Sequence, residues 1–437
     1  MIRLPQDDAN LGWAALLSPL PPAEVLAGEE RVSSCVVGAG LVGLAAARRL
    51  GELRPDERVA VIDAQRVGFG ASSRNAGFVV DLTDFAARMS PADCQRYIRV
   101  ARFGMSCLAD LIHQNRIACD WDDSGILRAA AGPQGIQILS QWPALLDGIG
   151  SRHRWLDAEA TAAHTGSRFY QAAVHLPGMT VNPVALMRGL ASSLPANVSV
   201  FEGSPVRKID RAIKSRERSG FRVAAGNGAI VCDRLFLATN GYTPGLGFLV
   251  RQDSPLWSFG SLTRVLTPEE QQRLGGERHW GVLPMDPSGS TVRRTPDQRI
   301  LIRNTFHYSS ALGVREEVRA AAVARHRRAF LARFPALQDV PFTHSWSGLM
   351  GMSSNGQPFF GELEPGLYSV AVFNAAGLAL GTAAGRLLAD LAMGVESAQL
   401  SDLRQLPPPS RLPPEPLRTL SGLLRVAKQN RRAGAYL

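Results

Sequence analysis

Cysteine is scarce: Cys35, Cys94, Cys107, Cys119 and Cys232 are scattered through 437 residues and none belongs to a C-x-x-C pair. That spacing argues against a disulfide framework, dithiol chemistry or a bound metal, and a reducing, cytoplasmic setting is expected. Lysine is scarcer still, at positions 208, 214 and 428 alone, although lysine and arginine together number 48. No run of about 18 apolar residues occurs, so a membrane span is not expected. The N-terminal MIRLPQDDANLGWAALLSPLPP carries acids early and ends its short apolar run in prolines, unlike a signal peptide or an anchor. There is no internal repeat and no obvious acid–base pair.

What is present is an ordinary globular balance, 45% apolar and 20% charged, at a length that favours two or three lobes over one core. The net charge of +10 comes from arginines spread along the chain and clustered only in the C-terminal tail. Without interleaved aromatics this pattern does not indicate nucleic-acid binding, though it suits anionic substrates or cofactors.

A strand, a glycine turn and a helix open the chain in VSSCVVGAGLVGLAAARRLG, and RVAVID follows as a second buried strand. RYIRVARFGMSCLADLIHQN reads as an amphipathic helix, and VNPVALMRGLASSLP as another with proline in its first turn. FRVAAGNGAIVCDRLFLATNG reads as strand, turn, strand and then a buried strand. STVRR, RILIRNTF and FTHSW are strand-like, and GLYSVAVFNAAGLALGTAAGRLLADLAMG again reads strand, turn, helix. The arrangement predicts a nucleotide domain assembled from distant segments around a β-rich insertion.

Gly38, Gly40 and Gly43 form G-x-G-x-x-G between strand and helix, and Asp63 ends the next strand 20 residues after Gly43. The first glycine permits a tight turn, the second a close pyrophosphate, and the third close packing of helix on strand. The acid reaches a ribose hydroxyl. A dinucleotide site is expected, and the motif alone leaves NAD and FAD open.

The order of GAGLVG, VIDA, GASSRNAGF, LATNGYTP, the strand pair about Arg293–Arg299, and WSGLMGMSSNGQPFFG resembles the D-amino-acid-oxidase-like (DAO) family of FAD oxidoreductases. The chain is most similar to its gamma-glutamylputrescine oxidase and L-pipecolate oxidase branch, from Trp13 to about Gly394. The resemblance implies an α/β, Rossmann-type FAD-binding domain of the glutathione-reductase-like kind and a β-sheet-rich, α+β substrate domain. The expected boundaries are 31–95, 160–245 and 340–400 for the first and 96–159 and 246–339 for the second. Residues 401–437 are left as a proline-rich linker and a basic helix.

For the cofactor the resemblance implies Gly38, Gly40, Leu41, Val42 and Gly43 at the pyrophosphate, with Asp63 and Ala64 at the ribose. Ala71, Ser72, Arg74, Asn75, Ala76 and Gly77 would thread along the flavin. Val206, Ala238, Thr239, Gly241 and Gly348 would complete the cleft, and Ala375, Ala376, Gly377, Leu378 and Ala379 would aim a helix N-terminus at the ring. Attachment is expected to be noncovalent, since no cysteine lies beyond Cys232.

The implied reaction is oxidation of a C–N bond of an amine or amino acid to an imine by hydride transfer to flavin N5, with O2 as acceptor and H2O2 formed. A dehydrogenase feeding a quinone or carrier is the alternative, and a flavin-binding interaction protein without turnover is a third. Arg293 is expected to hold a substrate carboxylate, Trp346 to wall the pocket, and Arg303 and His307 to face it. His344 also falls on a pocket-side strand.

Four departures from the family stand out. Thr291 replaces a tyrosine, and Arg303–Asn304 replaces a glycine pair, implying a smaller substrate or one anionic at its far end. Val372–Gly377 is poorer in glycine than usual. No lysine lies between Lys214 and Lys428 to activate oxygen. In the tail, Leu417, Leu420, Leu424 and Ala427 share one helical face beside Arg418, Arg425, Lys428, Arg431 and Arg432. Docking on the chain's own domain is expected, with peripheral contact to an anionic membrane as the alternative.

Overall fold

The computed structural model describes residues 10–84, 89–213, 219–286, 288–374, 377–433 and 436. The strand Ala27–Val37 is exposed at its start and buried over its last four residues. It lies at the centre of a parallel sheet, between Val59–Ile62 and Asn227–Leu237. Val198–Phe201 extends the sheet on one side and Leu367–Ala371 on the other, both parallel. Strands covered on both faces must be apolar throughout, as Val59–Ile62 is. The helices Leu41–Leu53, Gly377–Met393 and Pro91–Gln114 pack together on one face. A second cluster around Phe221, Ile230 and Leu235 fills the other face.

The second sheet has eight strands in the order Phe342–Met352, Ser254–Thr263, Ile300–Tyr308, Thr291–Arg294, Trp280–Pro284, Ile126–Ala130, Ala172–Leu176, Arg154–Leu156. It is antiparallel except where Trp280–Pro284 meets Ile126–Ala130. The helix Glu316–Arg333 covers it, seating Phe330 in a core with Val292 and Ile302. A ribbon of Phe78–Val79 with Met179–Thr180 lies outside both sheets.

Several boundaries differ from the sequence expectation. Ala172–Leu176 and Phe342–Met352, assigned there to the cofactor unit, hydrogen-bond into the second sheet. Pro91–Gln114, most of which was assigned to the substrate unit, packs on Gly377–Met393. Which sheet a strand joins depends on partners over a hundred residues away, which local pattern does not record. The two strands expected within NGAIVCDRLFL are one strand, Asn227–Leu237. Its first half pairs with Ser219–Ala225 and its second half with Leu367–Ala371. The Glu316–Arg333 helix has no strong apolar stripe, burying only Ala322, His326, Ala329, Phe330 and Arg333, and the strand-like reading of 250–345 passed over it.

Candidate active site

The glycine turn works through close approach. Gly38 has φ +107, and a Cβ on Gly43 would stand 1.8 Å from the Gly38 carbonyl oxygen. Helix and strand therefore pack backbone to backbone. Asp63 accepts from the amides of Ala39 at 2.7 Å and Gln65 at 2.8 Å, which fixes its carboxylate at the mouth of the turn. Gly40 supplies no side-chain cap to the helix Leu41–Leu53, and a Cβ there would meet only Ser72 Oγ, at 3.0 Å. The first amide of that helix, Leu41 N, donates to Ser72 Oγ at 3.1 Å, and a helix N-terminus begun by glycine with only that hydroxyl beside it leaves room for a pyrophosphate.

From this turn a cavity of about 300 Å³ runs to the second sheet. Gly38, Gly40, Leu41, Val42, Asp63, Ala64, Ala71, Ser72, Arg74, Asn75, Ala76, Val206, Ala238, Thr239, Gly241, Gly348, Gly377 and Leu378 all line it. Gly43, Gly77 and Ala379 do not: they are packing positions behind the wall. A Cβ on Gly77 would meet the Val181 carbonyl oxygen at 2.1 Å, and Ala379 is buried against Gly104. Ala375 and Ala376 lie outside the described residues. An open phosphate turn, an oriented acid and a long cleft between the sheets together fit FAD. Among the described residues no group of side chains suits a metal.

The segment Phe69–Phe78 is fixed from outside the cavity by its own carbonyls. Trp346 Nε1 donates to Arg74 O at 3.1 Å, Trp13 Nε1 to Asn75 O at 2.9 Å, and Arg293 Nη1 to Ala76 O at 3.4 Å. Three consecutive carbonyls are thus held on the side of a small core containing Trp13, Ala76 and Trp346. Within the loop, Asn75 donates to Ser72 O and accepts from Gly77 N. The Arg74 guanidinium turns back to Phe69 O and Ser347 O.

This arrangement corrects three of the four expected catalytic residues. Arg293 is 1% exposed, donates to Val181 O at 2.5 Å as well as Ala76 O, and faces the ring of Trp13. Burial lowers its pKa to about 10 against the pull of Asp120 and Asp122. It is a strut between strand and loop, away from the cavity. Trp346 is 2% exposed and covered by Trp13. His307 is turned away by a bulge: Ser258 pairs with Phe306 but Phe259 pairs with Asn304, leaving Thr305 extra at φ 62. One additional residue reverses the alternation, so Arg303 and His307, four apart, lie on opposite faces. His307 pairs with Trp257 instead, and burial lowers its pKa. His344 is likewise absent from the cavity wall.

Arg303 does line the cavity, across from Thr291 in the neighbouring strand. It donates to Met350 Sδ at 3.4 Å, and its guanidinium carbon lies 5.2 Å from the centroid of the Phe306 ring. No carboxylate pairs with it among the described residues, and burial alone lowers its pKa to about 10.

The wall also contains residues the sequence reading passed over. Asn240, within the quoted LATNG, has φ 42 and accepts from Val372 N at 2.8 Å. Val372 and Asn374 both hold positive φ in the turn where glycine was missed. Asn374 supports that turn by accepting from Ser353 N and donating to Val372 O. Phe78, Gly351 and Phe373 lie within segments that had been noticed, whereas Ser258 and Leu283 carry no local signal. Behind Gly351, the buried Asp253 accepts from Met352 N at 3.0 Å, and its Oδ2 has no hydrogen-bond partner among the described residues. Burial raises its pKa to about 7.

Residues 34–391 match the DAO family, described as FAD dependent oxidoreductase. The chain is 27% identical over 412 residues to a probable oxidoreductase OrdL of Rhizobium meliloti (strain 1021), covering 91% of each. It is 27% identical over 399 residues to the gamma-glutamylputrescine oxidoreductase of Escherichia coli (strain K12), covering 87% of this chain and 88% of that one. In structure it is similar to glycine oxidase from Geobacillus kaustophilus, with a TM-score of 0.71 at 21% identity. That likeness covers 84% of this chain and 96% of the other.

Proposed function

The chain belongs to the DAO family of FAD-dependent oxidoreductases, and from that premise we propose that it oxidises the C–N bond of an amine or amino acid bearing an anionic group. FAD, when bound, supplies the two-electron acceptor. The chain supplies position and charge. Asp63 and the N-terminus of the helix Leu41–Leu53 would hold the dinucleotide, and the segment Ser72–Ala76 lies along the cleft toward the second sheet. The observation that carries the substrate reading is Arg303, a cation on the cavity wall with no acidic partner among the described residues. A buried guanidinium facing a cavity gains most from a carboxylate, which it can bind in two parallel hydrogen bonds. Among the described residues no histidine, glutamate or lysine lines the cavity, so the amine reacts in its neutral form without a dedicated base.

The test is an anaerobic titration of the flavin spectrum with carboxylated amines and their decarboxylated analogues. Arg303→Met is expected to raise the KM of the carboxylated compound by about 10- to 100-fold, the loss of a charged hydrogen bond. FAD should stay bound and the analogue should be little affected. Equal changes for both compounds would remove Arg303 from substrate recognition. The wall without lysine also favours, as a second reading, a dehydrogenase whose electrons pass to a quinone or carrier. Prompt return of the oxidised spectrum on admitting air would exclude that reading in favour of an oxidase.

A further inference from the structure

The helix Leu417–Ala433 docks by one face only. Gly422 sits against the ring of Tyr308, where a Cβ would come within 2.5 Å. Val426 is buried with Leu256, Tyr308 and Met352, and Asn430 donates to Phe306 O at 3.2 Å. That accounts for the expected docking, but not for the rest of the helix.

On the opposite face Leu417, Leu420, Leu423 and Leu424 are 57%, 54%, 48% and 62% exposed. These four leucines are half of the eight exposed large apolar side chains among the described residues. Val250, another of the eight, adjoins the start of the helix, where Arg418 Nη1 donates to its carbonyl. At 100° per residue the leucines fall in one arc of about 120°, with Lys428, Arg432 and Arg425 following one edge of it and Arg431 within it, about two turns beyond Leu424, all exposed. Arg418 pairs with Glu415, whereas the other four cations have no ion pair among the described residues. The helix itself contains no acid.

We propose that this face is a peripheral docking surface for an anionic lipid membrane, the leucines entering the interface and the four cations meeting the headgroups. A helix with an exposed apolar arc beside a cationic edge and low mean hydropathy lies in the interfacial plane rather than crossing it. No single described helix is long and apolar enough to cross a membrane, so the contact is with one leaflet. A second copy of the chain is the poorer occupant. A two-fold contact through this face would bring the same four cations of each copy together, with no acid on either helix to offset them.

The test uses the full-length, flavin-loaded protein and sedimentation with vesicles of phosphatidylcholine alone or with roughly one-third phosphatidylglycerol. Binding is expected to be at least about tenfold stronger to the anionic vesicles and to fall steeply in roughly 0.5 M salt, where screening is nearly complete within a few ångströms. Leu420→Ser/Leu424→Ser and Arg425→Glu/Lys428→Glu should each abolish binding while keeping the flavin spectrum, since all four side chains are exposed. Failure of the parent protein to bind, or equal binding by the variants, would overturn the proposal. Concentration-dependent dimerisation lost in the leucine variant, without lipid binding, would assign the face to a second copy instead. No substrate is present in the assay, so its outcome is independent of the reaction proposed above.

Discussion

At the scale of single residues, two glycines of one motif are held by different forces. A side chain on Gly43 would collide with the backbone of Gly38, whereas one on Gly40 would project into the cavity beside Ser72. Gly43→Ala is therefore expected to destabilise the fold whether or not cofactor is present. Gly40→Val should leave the thermal midpoint of the apoprotein nearly unchanged and abolish FAD retention, because the branched side chain occupies the pyrophosphate's position. Thermal unfolding of apo and reconstituted protein separates the two effects. Retained flavin in Gly40→Val would refute the assignment of the turn. The motif and its acid were legible from spacing alone. Arg293 and Arg303 were not separable in that way: the pairing of Thr291 with Arg303 puts both arginines on one face of the sheet, and only what packs over each end of that face decides which one reaches the cavity.

At the scale of elements, the loop Phe69–Phe78 owes its shape to distant donors. Its Gly, Ala and Ser content lets the backbone approach a cofactor, but that composition specifies no single conformation. Trp13, Trp346 and Arg293 select one by taking three successive carbonyls. Arg293→Met would leave buried carbonyls at Ala76 and Val181 without their donor, at about 1–3 kcal/mol each. The expected result is FAD affinity weakened by tenfold or more, with the preference for carboxylated over decarboxylated substrate preserved. Arg303→Met should show the reverse pattern. Flavin titration of both variants decides between them, and a loss of substrate preference in Arg293→Met would return that residue to the pocket. The bulge at Thr305 is a second such device, turning His307 out of the site while keeping Arg303 in it.

At the scale of the whole molecule, the cavity lies between the two sheets, and Asp253 sits behind its wall, on the side toward the C-terminal helix. Its Oδ1 holds the amide of Met352, next to the lining residue Gly351, while Arg418 at the start of the helix acts on it electrostatically. Folding raises its pKa from 3.8 to about 7. Between those values the native protein retains a proton that the unfolded chain has released, so stability falls as pH rises through the window and levels off above it. Asp253→Asn keeps the Oδ1 acceptor and removes the titration. The thermal midpoint of the variant relative to the parent is expected to climb from pH 4.5 to about 7 and then stay flat. A difference independent of pH would mean that Asp253 is already ionised in the folded state.

The sequence by itself determined the family, the glycine turn, the acid that follows it and the small-residue loop. These depend on short spacings and backbone tolerances that residue types encode directly. It also held the signs of the C-terminal helix, its leucines and its cations. The tertiary structure alone decided which arginine reaches the cavity, which sheet each strand joins, and which face of that helix stays open. Those outcomes depend on long-range pairing and packing, and the face that His307 takes depends on one inserted residue in its strand, where a shift by a single position exchanges the two faces of a sheet.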